Sequence, residues 1–77
     1  MASTPREDTL WTLTKAAQTA SAVIAHLEGI GIELRLLWNG ELRHSQMFRT
    51  PAAVDDARAE AEARRRDLEL RGWQPIG

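Results

Sequence analysis

The sequence predicts an α+β fold, an antiparallel β-meander of three to four strands with one C-terminal helix packed on one face of the sheet. Two observations support this prediction. Apolar and polar residues alternate on both sides of an Asn39-Gly40 pair, which is typical of a β-hairpin. Farther along, an alanine-rich and charged segment follows Thr50-Pro51 with the periodicity of a helix.

Length and composition limit the class of protein. Its 77 residues, 43% hydrophobic and 27% charged, describe one small globular domain. The net charge of −1 argues against a strongly basic nucleic-acid binder or a polybasic membrane anchor. The sequence has no cysteine, which excludes a disulfide scaffold or a thiol nucleophile, and no apolar run long enough to span a membrane. We expect a cytoplasmic domain of residues 9–73 between polar tails at 1–8 and 74–77.

The first half of the chain is less clearly patterned. Residues 10–15 have the alternation of a strand. Segment 15–28 fits either of two structures. A helix would be capped by Thr14 and ended by Gly29, and its alanine content favours this alternative. We favour a strand with a turn around residues 16–18, because a helix would leave the first strand without an antiparallel neighbour.

The register of the hairpin at 30–49 depends on the length of its loop. A two-residue Asn39-Gly40 loop pairs Leu36 with Arg43, whereas a three-residue Trp38-Asn39-Gly40 loop pairs Leu36 with Leu42. We favour the three-residue loop because it places the apolar side chains on one face. The predicted core face is Ile30, Ile32, Leu34, Leu36, Leu42, His44, Gln46 and Phe48. The predicted outer face is Glu33, Arg35, Leu37, Glu41, Arg43, Ser45, Met47 and Arg49.

The second half predicts one long helix over residues 51–71. Thr50 is a suitable N-cap, Pro51 suits the first helical position, and Gly72 suits the position after the C-cap. Acidic residues early and arginines late complement the helix dipole. The buried stripe is thin and is expected to comprise Ala53 or Val54, Ala57, Ala61, Arg64 or Arg65, and Leu68. Two alternatives stay open for Trp73: it folds back onto the last turn or the sheet, or it remains exposed together with Leu37, Trp38 and Met47.

The residue types needed for catalysis do not converge in the sequence. His26 and His44 match no metal-binding motif, and the neighbouring Asp55 and Asp56 point about 100° apart on a helix. The arginine run 64–66 is expected to pair with acids one turn away as a solvated helix surface. No nucleophile has a plausible base beside it. We therefore predict no enzymatic activity, no cofactor and no metal.

The outer face of the hairpin is the candidate binding surface. Its candidate residues are Arg35, Leu37, Trp38, Arg43, Met47 and Arg49. Tryptophan, methionine and arginine are enriched in protein interfaces, and a small domain with little core gains from self-association. We predict a non-catalytic interaction module that forms a homodimer and also has an unidentified protein partner, with no membrane association. The alternative is weak binding of single-stranded nucleic acid on the same face, with the tryptophan stacking on a base.

The predicted order of four strands and a helix over residues 10–71 resembles PC4-like transcriptional coactivator domains and Pur-like repeats. That resemblance implies a sheet that holds single-stranded nucleic acid, helped by dimerisation through the helix. The chain differs from those families because it has no lysine-rich segment and Lys15 is its sole lysine. Segments 31–35, 39–42 and 71–73 are similar to parts of small bacterial proteins, a similarity that implies no function.

Overall fold

The computed structural model describes residues 6–76, which form a five-stranded antiparallel sheet with one helix packed on it. The elements are β1 (Arg6–Lys15), β2 (Gln18–Leu27), β3 (Gly31–Trp38), β4 (Glu41–Phe48), α1 (Ala53–Leu70) and β5 (Gln74–Pro75). The spatial order is β4-β3-β2-β1-β5. The predicted α+β meander with one helix is confirmed, with one short strand more than predicted. The strand interpretation of segment 15–28 is also correct.

Both ends of the described chain belong to the sheet. β1 begins at Arg6, so the last three residues of the predicted tail 1–8 are in a strand, and residues 1–5 lie outside the described part. β5 pairs with Leu13 and Thr14 of β1, and the Ile76 N–H donates to the Thr12 carbonyl at 3.2 Å. The predicted tail at 74–77 is therefore attached to the sheet edge through residue 76.

The turn between β1 and β2 contains two alanines in a conformation that alanine disfavours. Ala16 and Ala17 have φ values of 50° and 66°, and Lys15 pairs with Gln18 across them. A two-residue hairpin turn requires positive φ at both positions, which is why Asn-Gly is common there. Each left-handed alanine costs about 1 kcal/mol. This turn is formed at the expense of local strain.

Replacing Ala16-Ala17 with Asn-Gly is expected to stabilise the protein. Glycine at position 17 has no Cβ atom to clash in the left-handed conformation, and asparagine at position 16 tolerates this conformation better than alanine does. We expect the free energy of unfolding to rise by about 1 kcal/mol. Urea unfolding followed by circular dichroism measures it. Exchange of the same two residues to Val-Val should have the opposite sign, and equal stability of both variants would contradict the turn geometry.

The turn between β3 and β4 has two residues, not the predicted three. Trp38 pairs with Glu41 across Asn39 and Gly40, whose φ values are 53° and 80°. The Asn39 side-chain oxygen also accepts a hydrogen bond from the Thr19 N–H at 2.9 Å. Asn-Gly therefore forms the tight turn that its residue types favour.

A β-bulge in β4 then changes the register. Leu37 is opposite Leu42, but Leu36 is opposite His44, so Arg43 has no residue directly across from it. A bulge of one extra residue shifts the alternation of faces by one position. Because of the bulge, the chain can make a two-residue turn and still place Phe48 on the helix-facing side opposite Ile32. An unbroken hairpin with a two-residue or a three-residue loop does not give this register.

The bulge corrects the predicted faces of the hairpin. The predicted core positions that do lie on the helix-facing side are Ile32, Leu34, Leu36, His44, Gln46 and Phe48. Leu42 is instead on the outer side and 57% exposed, and Ile30 lies in a turn, 56% exposed. Glu41, predicted on the outer face, is opposite Trp38 on the helix-facing side. The predicted three-residue register is therefore wrong.

Helix α1 begins two residues later than predicted. Its N-cap is Ala52, which makes no side-chain capping bond. Thr50, the predicted N-cap, donates its hydroxyl to Asp56 Oδ2 at 2.8 Å, and its carbonyl accepts the Ala53 N–H at 3.1 Å. Thr50 thus stabilises the segment that leads into α1, three residues before its first residue, and does not serve as its N-cap.

The C-terminal end of α1 is a Schellman motif. Gly72 has φ 98°, its N–H donates to Glu69, and the Trp73 N–H donates to Leu68. This geometry reverses the chain and brings the residue after glycine back against the helix. Of the two alternatives for Trp73, the structure shows the return, because Trp73 is 6% exposed.

The negative, C-terminal end of the α1 dipole is compensated by a lysine of the sheet. The last turn of α1 contains no basic residue: the late arginines lie one turn earlier, at 64–66, and at the C-cap, Arg71. Instead Lys15, at the end of β1, donates from Nζ to the Arg71 carbonyl at 2.6 Å. A cation at this end of a helix is stabilising, and here it also ties the helix terminus to the first hairpin.

The core has two parts, joined by the helix. The buried residues of the first are Ala22, Ile24, Ile32, Leu34, Ala53, Ala57 and Ala61. The second contains Leu13, Ala20 and Trp73, with Trp11, Trp38 and Leu68 half-buried around them. The predicted thin stripe is confirmed for its alanines, because the buried residues of α1 are Ala53, Ala57 and Ala61, whereas Arg64 is exposed and Arg65 and Leu68 are half-buried. Trp11 adds a polar attachment by donating from Nε1 to the Ala61 carbonyl at 2.9 Å.

Candidate interaction surface

The sheet face that points away from α1, the outer face, carries an uncovered apolar group. Leu37 and Met47 lie there, as predicted, at alternate positions of β3 and β4, and both are half-buried. The bulge places Leu42 beside Leu37, with 57% of its surface exposed. Sequence reasoning missed Leu42 because nothing in the residue pattern marks the bulge. These three residues are called the outer apolar group below.

The other predicted members of the site do not all join this group. Trp38 lies on the helix-facing side, where its ring meets Trp73 edge-to-face with centroids 4.7 Å apart. Its predicted place on the binding face is therefore wrong, because its alternation with Leu37 turns it toward the core. Arg43 sits at the bulge and Arg49 just after β4, and both are exposed.

The centre of the outer face is an ion-pair network. Arg35 contacts Glu33 at 2.6 Å through Nε and Glu7 at 2.5 Å through Nη1. The Ser45 hydroxyl donates to the second oxygen of Glu33 at 2.6 Å. The network spans β1, β3 and β4 and neutralises the one arginine at the middle of the face. Glu7 was missed because it falls in the predicted tail.

These hydrogen bonds change the acidity of the central carboxylate. The Ser45 hydroxyl and, next in effect, the Arg35 guanidinium hold the pKa of Glu33 below its usual range. The Glu33 side chain is 18% exposed, so solvent screens the pair only in part. A lowered pKa in the folded state means that the ionised form stabilises the fold.

Glu33→Gln is expected to show a pH-dependent loss of stability. Near pH 7 the variant should lose about 1 kcal/mol of unfolding free energy, the size of a partly exposed charged hydrogen bond. The wild type has this stability above the unfolded-state pKa of about 4.3 and loses it as pH falls through the lower folded-state pKa. Urea titrations from pH 7 to 3 should therefore show the two proteins converging. A difference that stays constant across this range would contradict the network.

The two histidines do not form a joint site. His26 is opposite Ile32 and His44 is opposite Leu36, so they are separated by β3 and by about 13 Å along it. His26 Nε2 is buried without a hydrogen bond, 3.4 Å from Asp8 Oδ2. Among residues 6–76 no group of three or more His, Cys, Asp or Glu side chains could hold a metal ion.

The solvent-facing side of α1 carries ion pairs rather than a free basic patch. The predicted i,i+4 pairs Glu60–Arg64 and Glu62–Arg66 are present, with N···O distances of 3.0 and 3.6 Å. Arg65 lies between Glu62 and Glu69 and contacts both. The arginine run is therefore matched by acids along the helix, as expected for a solvated surface.

Two shallow clefts flank the helix. One of about 160 Å³ is lined by Leu10, Trp11, Arg58, Ala61, Glu62 and Arg65. Another of about 100 Å³ lies on the other side and includes Trp11, Leu36, Trp38, Arg64, Asp67 and Leu68. Neither lining contains a nucleophile next to a histidine base. They are gaps that a narrow alanine stripe leaves beside a wider sheet.

Comparisons of the chain with protein-family models, with curated proteins and with solved structures find no significant match in any of the three. The resemblance to PC4-like and Pur-like domains therefore stays a prediction. Within residues 6–76, α1 lacks the apolar character that a membrane-crossing helix needs. The geometry of the outer face and of its edge is thus the basis for a functional conclusion.

Proposed function

We propose that the chain is a non-catalytic interaction module that self-associates through the β3–β4 hairpin. The supporting observation is the outer apolar group, in which Leu42 is 57% exposed opposite Leu37, while Met47 lies on the same face beyond the Arg35–Ser45 pair. A chain with a core this thin gains stability when such a group is covered. The hairpin is also at the end of the sheet, where a second molecule can approach it.

The absence of catalysis is part of the same proposal. In the described residues the polar clusters are ion pairs with matched partners, as for Arg35 with Glu7 and Glu33. Such pairs hold strands together, and neither described cleft beside the helix is lined by a histidine that could act as a base.

Binding of single-stranded nucleic acid is the second candidate, and it has less support. Arg35 is paired with two carboxylates, so its charge is not free for a phosphate. Trp38 is turned toward the core, so its ring does not face outward to stack on a base. Arg43 and Arg49 alone would neutralise few phosphates. We expect no saturable binding of oligothymidine at about 50 mM salt. Binding that weakens with salt and disappears in Arg43→Glu would favour this second function instead.

Leu42→Glu tests the proposed self-association. A charge at this position should oppose burial of the outer apolar group and raise the dissociation constant of the dimer at least about tenfold. Sedimentation equilibrium over a range of concentrations measures it. Thr9→Glu is the matched control, because Thr9 is exposed on the outer face of β1, away from the hairpin. Equal dimerisation of Leu42→Glu and wild type would contradict the proposal.

A further inference from the structure

We propose that two copies of the chain pair antiparallel along the free edge of β4, with a two-fold axis at Ser45. This inference rests on the proposed self-association and specifies its surface. Among residues 6–76, β4 is the terminal strand of the sheet with β3 as its one neighbour, and residues 41–45 are all exposed. Pairing would join two five-stranded sheets into one continuous sheet and satisfy the backbone groups that an edge strand leaves open.

The other surfaces are less suited to a second copy. Stacking two outer faces would bury the charges of Glu7, Glu33 and Arg35, whose desolvation is costly. The opposite edge of the sheet is partly covered, because β5 pairs with β1 at Leu13 and Thr14. The solvent side of α1 is covered with ion pairs. The β4 edge alone combines open backbone groups with apolar side chains beside them.

The residues of β4 are complementary to themselves in one register. With Ser45 opposite Ser45 of the second copy, His44 is opposite Gln46, and the bulge places Leu42 and Arg43 together opposite Met47. The first pair can form a hydrogen bond, and the arginine stem can pack on the thioether. Because of the bulge, Glu41 of each strand is then opposite Phe48 of the other copy, next to the basic Arg49. The two-fold axis repeats each of these contacts.

Neighbouring registers lack this complementarity. Centring on Gln46 places Arg43 opposite Arg49, and like charges directly opposite each other are destabilising. Centring on His44 places Glu41 opposite Gln46, because the bulge fills one position with two residues, and leaves Arg49 beyond the paired segment. Charge complementarity therefore selects the Ser45-centred pairing and selects a second copy of this chain as the occupant of the edge.

A charge exchange between the two ends of β4 tests the pairing. Glu41→Arg and Arg49→Glu, made singly, place like charges together across the axis and should each raise the dimer dissociation constant about tenfold. The double variant restores unlike charges and should return it to within about threefold of wild type. Both residues are exposed, and circular dichroism of each variant checks folding. Additive weakening in the double variant would overturn the pairing.

A cysteine trap provides an independent geometric test. The chain has no native cysteine, so Ser45→Cys introduces a single thiol. Directly opposite Cβ atoms are about 5 Å apart, close enough for a disulfide after a small adjustment. Mild oxidation should give a covalent dimer for Ser45→Cys and none for Thr9→Cys at the same concentration.

The outcomes separate this inference from the proposal beneath it. If the wild type dimerises but only Thr9→Cys is trapped, self-association stands and the β4 pairing is overturned. If the wild type remains monomeric and neither thiol is trapped, both fail. Trapping of Ser45→Cys together with restoration by the charge exchange supports both.

Discussion

Trp73→Ala is expected to lower the free energy of unfolding by about 3–5 kcal/mol, the range for removing a large buried aromatic side chain. Trp73 is 6% exposed and contacts the second part of the core, including an edge-to-face contact with Trp38. It also follows the Schellman glycine, so its loss frees the chain end that forms β5. Chemical denaturation followed by far-ultraviolet circular dichroism measures the change.

Leu70→Ala is the matched control for this substitution. Leu70 is three residues away, at the last position of α1, but is 88% exposed. Its truncation should change stability by less than about 0.5 kcal/mol. A loss of similar size in both variants would contradict the placement of Trp73 in the core.

Leu34→Ala is expected to cost about 2–5 kcal/mol of unfolding free energy. Leu34 is completely buried in the first part of the core, beneath the alanine stripe of α1. The stripe has few atoms that can move into the space, because alanine side chains are short. The cavity should therefore remain largely open, which places the cost in the upper part of this range.

Leu42→Ala makes the comparison specific to the bulge. Leu42 is the same residue type on the adjacent strand, but the bulge directs it to the outer face. At concentrations where the chain is monomeric, its truncation should cost less than about 0.5 kcal/mol. A cost for Leu42→Ala as large as that for Leu34→Ala would support the three-residue loop and contradict the observed register.

Most of the fold could be predicted because its signals are local. Asn39-Gly40 specifies a turn, Gly72 ends a helix, and the alanine spacing defines which side of that helix is buried. The assignment of segment 15–28 required a different argument, because its alanines favour a helix. The need of the first strand for a partner decided correctly in favour of β2.

The errors have physical causes that the sequence does not display. The loop length was chosen by aligning the apolar residues of two unbroken strands. The bulge at Arg43 instead lets β4 follow a two-residue turn and then change register, so that Phe48 still lies on the helix-facing side. Thr50 was expected to cap the helix but bonds to Asp56 instead. The polar start of β1 carries no strand pattern, since its pairing depends on β2, and so Glu7 was missed.

The candidate site was predicted in part for the same reason. Alternation correctly placed Arg35, Leu37 and Met47 together on one face. It could not show that two carboxylates engage Arg35, because one of them comes from β1, 28 residues away in sequence. Trp38 was assigned to the loop, whereas the two-residue turn keeps it in β3 with its ring toward the core.

The mass of the wild-type chain in solution tests self-association through the hairpin most directly. Light scattering coupled to size exclusion, at concentrations on the order of tens of micromolar, detects a dimer of ordinary affinity. The proposal predicts twice the 8.6 kDa mass of the chain, falling toward a single chain on dilution. A mass of 8.6 kDa across the whole concentration range would contradict it.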